Sequence, residues 1–293
     1  MFLIDHSEIK PLDNVFFEIG HITIMWYAVL ILTGASVALY LGIREGRKIG
    51  VDKDFLIDLV LFGIPISVVG ARMYYVVLEW NSYKDDLIGI LKIYEGGLAI
   101  HGAIIAAVIW GYFWSKKNNV NFLKAADLGA VGFLVAQAIG RWGNFMNQEA
   151  HGGVVPGATL DDQRAFLVSK GIPDFIVNQM YIHDYEYGIN YFHPTFLYES
   201  IWNLLGLALL MLLRRTKYLY IGDLGLFYLM WYSVGRGIIE GMRTDSLYLG
   251  NTGIRMAQLI SITLFVSAAV FFILRHYKKW YPKYYYQVIE ENN

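Results

Sequence analysis

The sequence predicts an all-α polytopic membrane protein: seven transmembrane helices with a small extracytoplasmic cap. Three observations carry this. The chain has 293 residues, of which 56% are hydrophobic and only 17% charged, and its mean hydropathy is +0.40. That is too apolar for a soluble domain of this length. Seven apolar stretches are long enough to span, at about 22–42, 55–79, 97–114, 125–144, 196–213, 223–242 and 254–274. The longest polar interval between them, 145–195, holds Pro156, Pro173, several glycines and a run of tyrosines, and reads as the cap. The whole chain is read as a single membrane domain.

Composition excludes several classes. The net charge is −1, so nothing suggests nucleic acid as a partner. There is no cysteine, which excludes disulfides, thiolate metal sites and a cysteine nucleophile in this chain. The start, Met-Phe-Leu-Ile-Asp-His, lacks a basic region and a small-residue cleavage site, so no removable signal peptide is expected. No sequence repeat is visible, which argues against a transporter built from inverted halves.

Orientation follows from lysine and arginine. Fourteen basic residues lie in the segments after spans one, three, five and seven, and seven lie on the other side. Arg72, Arg141 and Arg236 remain inside spans and complete the 24. The N-terminus is therefore expected outside and the C-terminus in the cytoplasm. Tyr277, Trp280, Tyr281 and Tyr284 to Tyr286 near the end read as an interfacial aromatic belt.

On this topology most polar residues in the spans gather at one depth. Trp26 and Tyr27 lie at the outer end of span one, Arg72 in the outer half of span two and His101 just inside span three. Arg141 and Asn144 end span four, Tyr198 and Glu199 open span five, and Tyr232, Arg236 and Glu240 occupy span six. A proton or ion path needs polar groups through the full thickness. This distribution suits a lipid headgroup instead. Asp58, Asp127 and Asp223 lie near the inner ends, where headgroups or the basic segments would satisfy them.

The motif at 140–152, Gly-Arg-Trp-Gly-Asn-Phe-Met-Asn-Gln-Glu-Ala-His-Gly, is the densest in polar groups. Gln137, Arg141, Asn144 and Gln148 share one helical face. Gly132, Ala136, Gly140 and Gly143 let another backbone approach. A polar seam between helices and an active site both fit this pattern. Glu199 reads as a carboxylate that pairs with an arginine and holds it in place. Tyr232, Arg236 and Glu240 recur at i, i+4 and i+8, with Arg243 three residues on, as one ridge. Arg236 and Glu240 can neutralise each other. Arginine nevertheless offers planar paired donors that suit phosphate, and three arginines against two carboxylates imply an anionic ligand. His101 lies between glycines with no second histidine at metal-ligand spacing, while His151, His183 and His193 are dispersed. No metal or cofactor is expected. An anion carrier or lipid-binding protein without catalysis fits the same residues, and a seven-span receptor fits less well.

In their order these residues resemble the prolipoprotein diacylglyceryl transferase family of bacterial membrane enzymes. The resemblance rests on Ile100-His101-Gly102, on the run Gly140 to Glu149, on His193-Pro194-Thr195 to Glu199, and on Gly235-Arg236 through Glu240 to Arg243-Thr244-Asp245. The family's His-Gly-Gly-Leu-Ile-Gly stands here as His101-Gly102-Ala103-Ile104-Ile105-Ala106, with two alanines for glycines. The resemblance implies phosphatidylglycerol as substrate and transfer of its diacylglyceryl group to the lipobox cysteine of a preprolipoprotein. Glycerol 1-phosphate would be released in the bacterial cytoplasmic membrane. The site residues it implies are Tyr27, His101, Arg141, Asn144, Glu149, Gly152, Tyr232, Arg236, Glu240 and Arg243. Arg141 and Arg236 would stabilise phosphate charge, and His101, Tyr27 or Tyr232 would accept the thiol proton.

Topology gives the first prediction. A cysteine placed at Ser169 should react with a membrane-impermeant thiol reagent applied from outside the cell. Labelling only from the cytoplasmic side would reverse the orientation.

Overall fold

The computed structural model describes residues 6–20, 22–250, 252–280 and 283–292. The first five residues and Tyr281, on which two sequence expectations fall, lie outside the described residues. Eleven helices occur among the described residues. They are α1 (Trp26–Lys48), α2 (Lys53–Leu78), α3 (Trp80–Tyr83), α4 (Ile100–Lys117), α5 (Phe122–Asn147), α6 (Leu160–Ser169), α7 (Asp174–Gln179), α8 (Thr195–Leu213), α9 (Asp223–Glu240), α10 (Met256–Tyr277) and α11 (Tyr285–Asn292). Five of these, α1, α2, α5, α8 and α10, are long and apolar enough to cross a membrane. α4 and α9 have 18 residues each, and α9 carries Asp223, Arg236 and Glu240.

The first expected span begins with a strand rather than a helix. β1 (Val15–Ile19) and β2 (Ile22–Met25) form an antiparallel hairpin that runs directly into α1. The β-branched residues Ile22, Thr23 and Ile24 favour this pleated pairing over a first helical turn. The third expected span likewise starts late, at Ile100. Gly96 and Gly97 hold φ of +91° and +72°, outside the helical region.

α5 is the central helix, packed on α1, α8, α9 and α4. Small residues set its close approaches. A Cβ on Gly34 of α1 would meet the Ala136 carbonyl oxygen at 3.2 Å, and one on Gly132 would meet Ala38 at 3.5 Å. Gly140 departs from expectation, since its Cβ position faces open space. α8 and α9 meet through Trp202 and Trp231, whose rings stack 4.3 Å apart. Each indole N–H donates to the other residue's carbonyl, at 3.1 and 3.0 Å. Gly235 and Gly206 supply the space those rings fill.

The end of the bundle that holds the basic turns is closed by charge. Asp127 of α5 is fully buried and accepts from the Gly222 and Gly225 amides, at 2.6 and 3.0 Å, so a neighbouring helix caps the start of α9. Asp223 accepts from Arg275 at 2.7 Å and contacts His276 at 2.8 Å. Backbone amides and a basic segment thus satisfy these two aspartates, and headgroups are not needed. The terminal aromatic cluster also divides. Tyr277 and Trp280 are exposed as a belt would be, whereas Tyr285 is buried in the core and its amide donates to the Leu219 carbonyl at 2.7 Å.

The opposite end carries a small unit between α5 and α8. It contains α6, α7 and the hairpin of β3 (Tyr181–Asp184) with β4 (Gly188–Tyr191). Its own apolar cluster includes Phe145, Val155, Leu167, Val177 and Tyr191. Thr159 and Asp162 close a capping box at the start of α6.

Asp127→Ala removes the side-chain acceptor of the buried Gly222 amide and of the partly buried Gly225 amide and should cost about 3 kcal/mol. Thermal unfolding in detergent should show a lowered midpoint, with Asp127→Asn falling between the variant and the parent. An unchanged midpoint for Asp127→Ala would contradict the capping role.

Candidate functional site

Three arginines, at helical or near-helical positions, converge on one carboxylate. Glu199, in the second turn of α8, is buried. It pairs with Arg141 near the end of α5. Its Oε1 lies 3.7 Å from Nη1 of Arg236 on α9 and 3.9 Å from Nη1 of Arg243, just past the end of α9. Arg236 reaches back one turn to Glu240 at 2.7 Å. Arg255 donates to the Glu240 backbone carbonyl, and the Ser246 hydroxyl lies 3.3 Å from it. Arg243 grips Asp245 with two parallel bonds, Nε to Oδ1 at 2.8 Å and Nη2 to Oδ2 at 2.6 Å. The hydrogen bond from Arg243 holds the Asp245 carboxyl below the usual carboxylate range.

A narrow cavity runs between these groups. Gln137, Arg141, Glu199, Asn203, Tyr232 and Arg236 line it, with Trp202 and Ile239 as apolar walls. Its volume, about 10 Å³, is near the threshold for one water. On the α5 side Asn144 Oδ1 lies 3.5 Å from Arg141, and Asn144 Nδ2 donates to Glu149 at 3.0 Å. Asn147 adds a second donor to Glu149 at 3.3 Å. Tyr27 packs its ring edge on Gly143, where a Cβ would stand 2.6 Å from the ring. No larger residue fits there without moving Tyr27.

Gly152 connects the unit between α5 and α8 to this array. It forms an antiparallel bridge with Arg243, and the Gly153 amide donates to the Met242 carbonyl at 2.8 Å. A Cβ on Gly152 would stand 2.8 Å from His193 Cβ and 3.1 Å from the Met242 carbonyl oxygen. The chain after α5 and the chain after α9 are therefore laced together directly over the arginines.

Nine of the ten residues expected in the site belong to this neighbourhood: Tyr27, Arg141, Asn144, Glu149, Gly152, Tyr232, Arg236, Glu240 and Arg243. His101 does not touch it. It is exposed at the start of α4, with its ring 6.2 Å from that of Tyr74. Three sequence expectations change. Arg72 is not part of the cluster, because its guanidinium is spent on main-chain carbonyls of residues 89–97. Arg243 is the third guanidinium in its place. Gln148 leaves the polar face of α5, since it turns to φ +51° as the helix ends and bonds to Gln179. Glu199 is more central than a partner to one arginine.

Three guanidiniums, one from α5 and two from α9 and its end, surround a buried carboxylate at one end of a bundle of apolar helices, the arrangement of a multi-pass membrane protein. The chain belongs to the prolipoprotein diacylglyceryl transferase family, whose profile matches residues 14–274. It is similar to the phosphatidylglycerol–prolipoprotein diacylglyceryl transferase of Geobacillus kaustophilus, with 50% identity over 274 residues, 94% of this chain and 96% of that protein. The enzymes of that name from Bacillus velezensis and Bacillus licheniformis are 48% and 47% identical, over 94% and 93% of this chain and 96% of each relative.

Two predictions follow from this geometry. Arg236 and Glu240 should act as a unit. Removing Glu240 alone leaves the half-buried Arg236 guanidinium with only its longer contact to Glu199, which should cost up to about 3–5 kcal/mol, and neutralising both should recover part of that loss. Losses that simply add in the double variant would make the pair independent. The second concerns pH. Asp245 has a depressed folded pKa, so its contribution is present above the unfolded value of about 3.9 and is lost only as pH falls through the folded value. The difference in melting midpoint between the parent and Asp245→Asn should therefore stay constant from neutral pH down to about 5 and shrink only in stronger acid.

Proposed function

We propose that the chain transfers the diacylglyceryl group of phosphatidylglycerol to the thiol of the lipobox cysteine in a preprolipoprotein. The observation that carries this reading is the set of three guanidiniums around Glu199. The names of its relatives support the substrates. In the reaction the sulfur forms a bond to the glyceryl carbon and the carbon–oxygen bond to phosphate breaks. The electron pair leaves with glycerol 1-phosphate, and the thiol proton passes to a base.

Charge develops on phosphate oxygens as that bond breaks. Arg141 and Arg236 face the cavity and stabilise it, in a site where little water competes. The cavity is too small for a phosphate as it stands, so the headgroup exchanges with Glu199 for the guanidinium donors. Glu199 thereby keeps the arginines paired and aimed until substrate arrives. Asn144, held by Glu149, orients an ester or phosphate oxygen. Tyr232 and Tyr27 border the array from α9 and α1. His101 stands apart on the lipid-accessible start of α4, suited to a peptide thiol arriving from the membrane. The nucleophile comes from the substrate, in keeping with a chain without cysteine.

The membrane arrangement is part of this reading. α1, α2, α4, α5, α8, α9 and α10 serve as seven spans in the bacterial cytoplasmic membrane, with the N-terminus outside and the C-terminus in the cytoplasm. The unit between α5 and α8 is an extracytoplasmic cap, laced through Gly152 to Arg243, where it guides the signal peptide to the site.

The test is product release. Purified protein with phosphatidylglycerol and a lipobox peptide should liberate glycerol 1-phosphate, and a carrier or lipid-binding protein would liberate none. Arg141→Gln and Arg236→Gln should each lose about 10²–10³ in rate. His101→Gln should lose about tenfold and recover partly between pH 7 and pH 9, because a thiol of pKa about 8.5 ionises without help. A folded His101→Gln protein as inactive as the arginine variants at every pH would overturn this ranking.

A further inference from the structure

Residues 84–97, which lie between α3 and α4, are short turns of irregular backbone, including 3-10 turns at Leu87–Leu91 and Ile93–Glu95. Arg72 is buried beneath them and gives all three guanidinium nitrogens to main-chain oxygens. Nε donates to Ile90 at 2.9 Å. Nη1 donates to Gly96 and Gly97 at 2.7 and 3.0 Å. Nη2 donates to Gly89 and Lys92 at 2.7 and 3.4 Å. The Tyr83 ring covers the cation, 5.1 Å away. The Gly89 amide is also satisfied, by Asp86 at 3.1 Å.

The side chains of the same segment point the other way. Ile88, Leu91 and Tyr94 are 71%, 79% and 81% exposed, and Leu87 is exposed with them. Val77 and Leu78 at the end of α2, one of the helices long and apolar enough to cross a membrane, and Ile100 at the start of α4 are exposed as well. A loop in water has no need of a buried arginine to satisfy five carbonyls, because water does so. Irregular backbone at membrane depth is tolerated only where protein satisfies it.

We propose that residues 87–97 are a re-entrant segment seated among lipid acyl chains, with Arg72 supplying from the protein side the hydrogen bonds that water would supply. Lys84, Asp85 and Asp86 mark its polar edge. Lys92 reaches the headgroups along its aliphatic stem. This assigns Arg72 a structural purpose in the membrane, distinct from anion binding, and places lipid directly beside His101. The inference rests on the membrane reading alone, and its failure would leave the charged cluster untouched.

The chain has no cysteine, so single cysteines can be placed without background. Nitroxide labels at Ile88→Cys and Leu91→Cys are compared with one at Tyr185→Cys, a fully exposed tip of the hairpin between β3 and β4. The proteins are reconstituted into vesicles of phosphatidylglycerol and phosphatidylethanolamine. Labels at 88 and 91 should relax with oxygen and lose the response to a water-soluble nickel chelate, while the label at 185 responds to nickel. Nickel access at 88 and 91 equal to that at 185 would overturn the proposal. So would shielding from both probes, which would mean that protein covers the segment. Arg72→Gln, or Arg72→Lys if the first does not fold, should raise nickel access at 88. An unchanged profile would remove Arg72 from the explanation.

Discussion

Glu199 is the carboxylate that three guanidiniums share. Arg141, Arg236 and Arg243 come from different parts of the sequence and repel one another. Each is mostly buried, where such repulsion is weakly screened. One carboxylate at the start of α8 draws them to a common point, with Glu240 and Asp245 taking the outer faces of Arg236 and Arg243. The positions of α5, α8 and α9 relative to one another follow from that point as much as from apolar packing. The paired tryptophans between α8 and α9 fix the same interface about one helical turn further along.

Much of this was legible in the residues. That Arg141, Asn144, Glu199, Arg236 and Glu240 lie together could be read from hydropathy and the distribution of lysine and arginine, because charge in a membrane span is rare and costly. The i, i+4 spacing correctly paired Arg236 with Glu240. Arg72 was misread for a clear reason. A buried arginine announces that it has partners, but backbone carbonyls leave no trace in a sequence. The paired glycines Gly96 and Gly97 were the available signal, since they mark a chain that turns back on itself. Gln148 was misplaced because helical phase was carried one residue past the helix end.

The boundaries were softer than the elements. Ile22, Thr23 and Ile24 are apolar enough to join a span and β-branched enough to pair as a strand, and hydropathy alone does not choose between these. The unit between α5 and α8 was visible as a polar interval with prolines and tyrosines, but its own small core and its bridge from Gly152 to Arg243 depend on contacts between distant residues. Gly152 stood out only through the family resemblance. The space its missing side chain leaves for His193 and Met242 gives it a physical reason.

The order of these residues along the chain bears on how the protein is made. α5 carries Arg141 and is synthesised well before α8 brings Glu199, with the whole cap between them. A newly inserted α5 therefore holds an arginine whose partner does not yet exist. The position of Arg141 in the last two turns of the helix makes this tolerable, because a long side chain near a helix end can reach headgroups while it waits. Burial of the guanidinium is then a late event, completed when α8 docks. An arginine near the end of its helix is thus placed to meet the carboxylate that α8 brings.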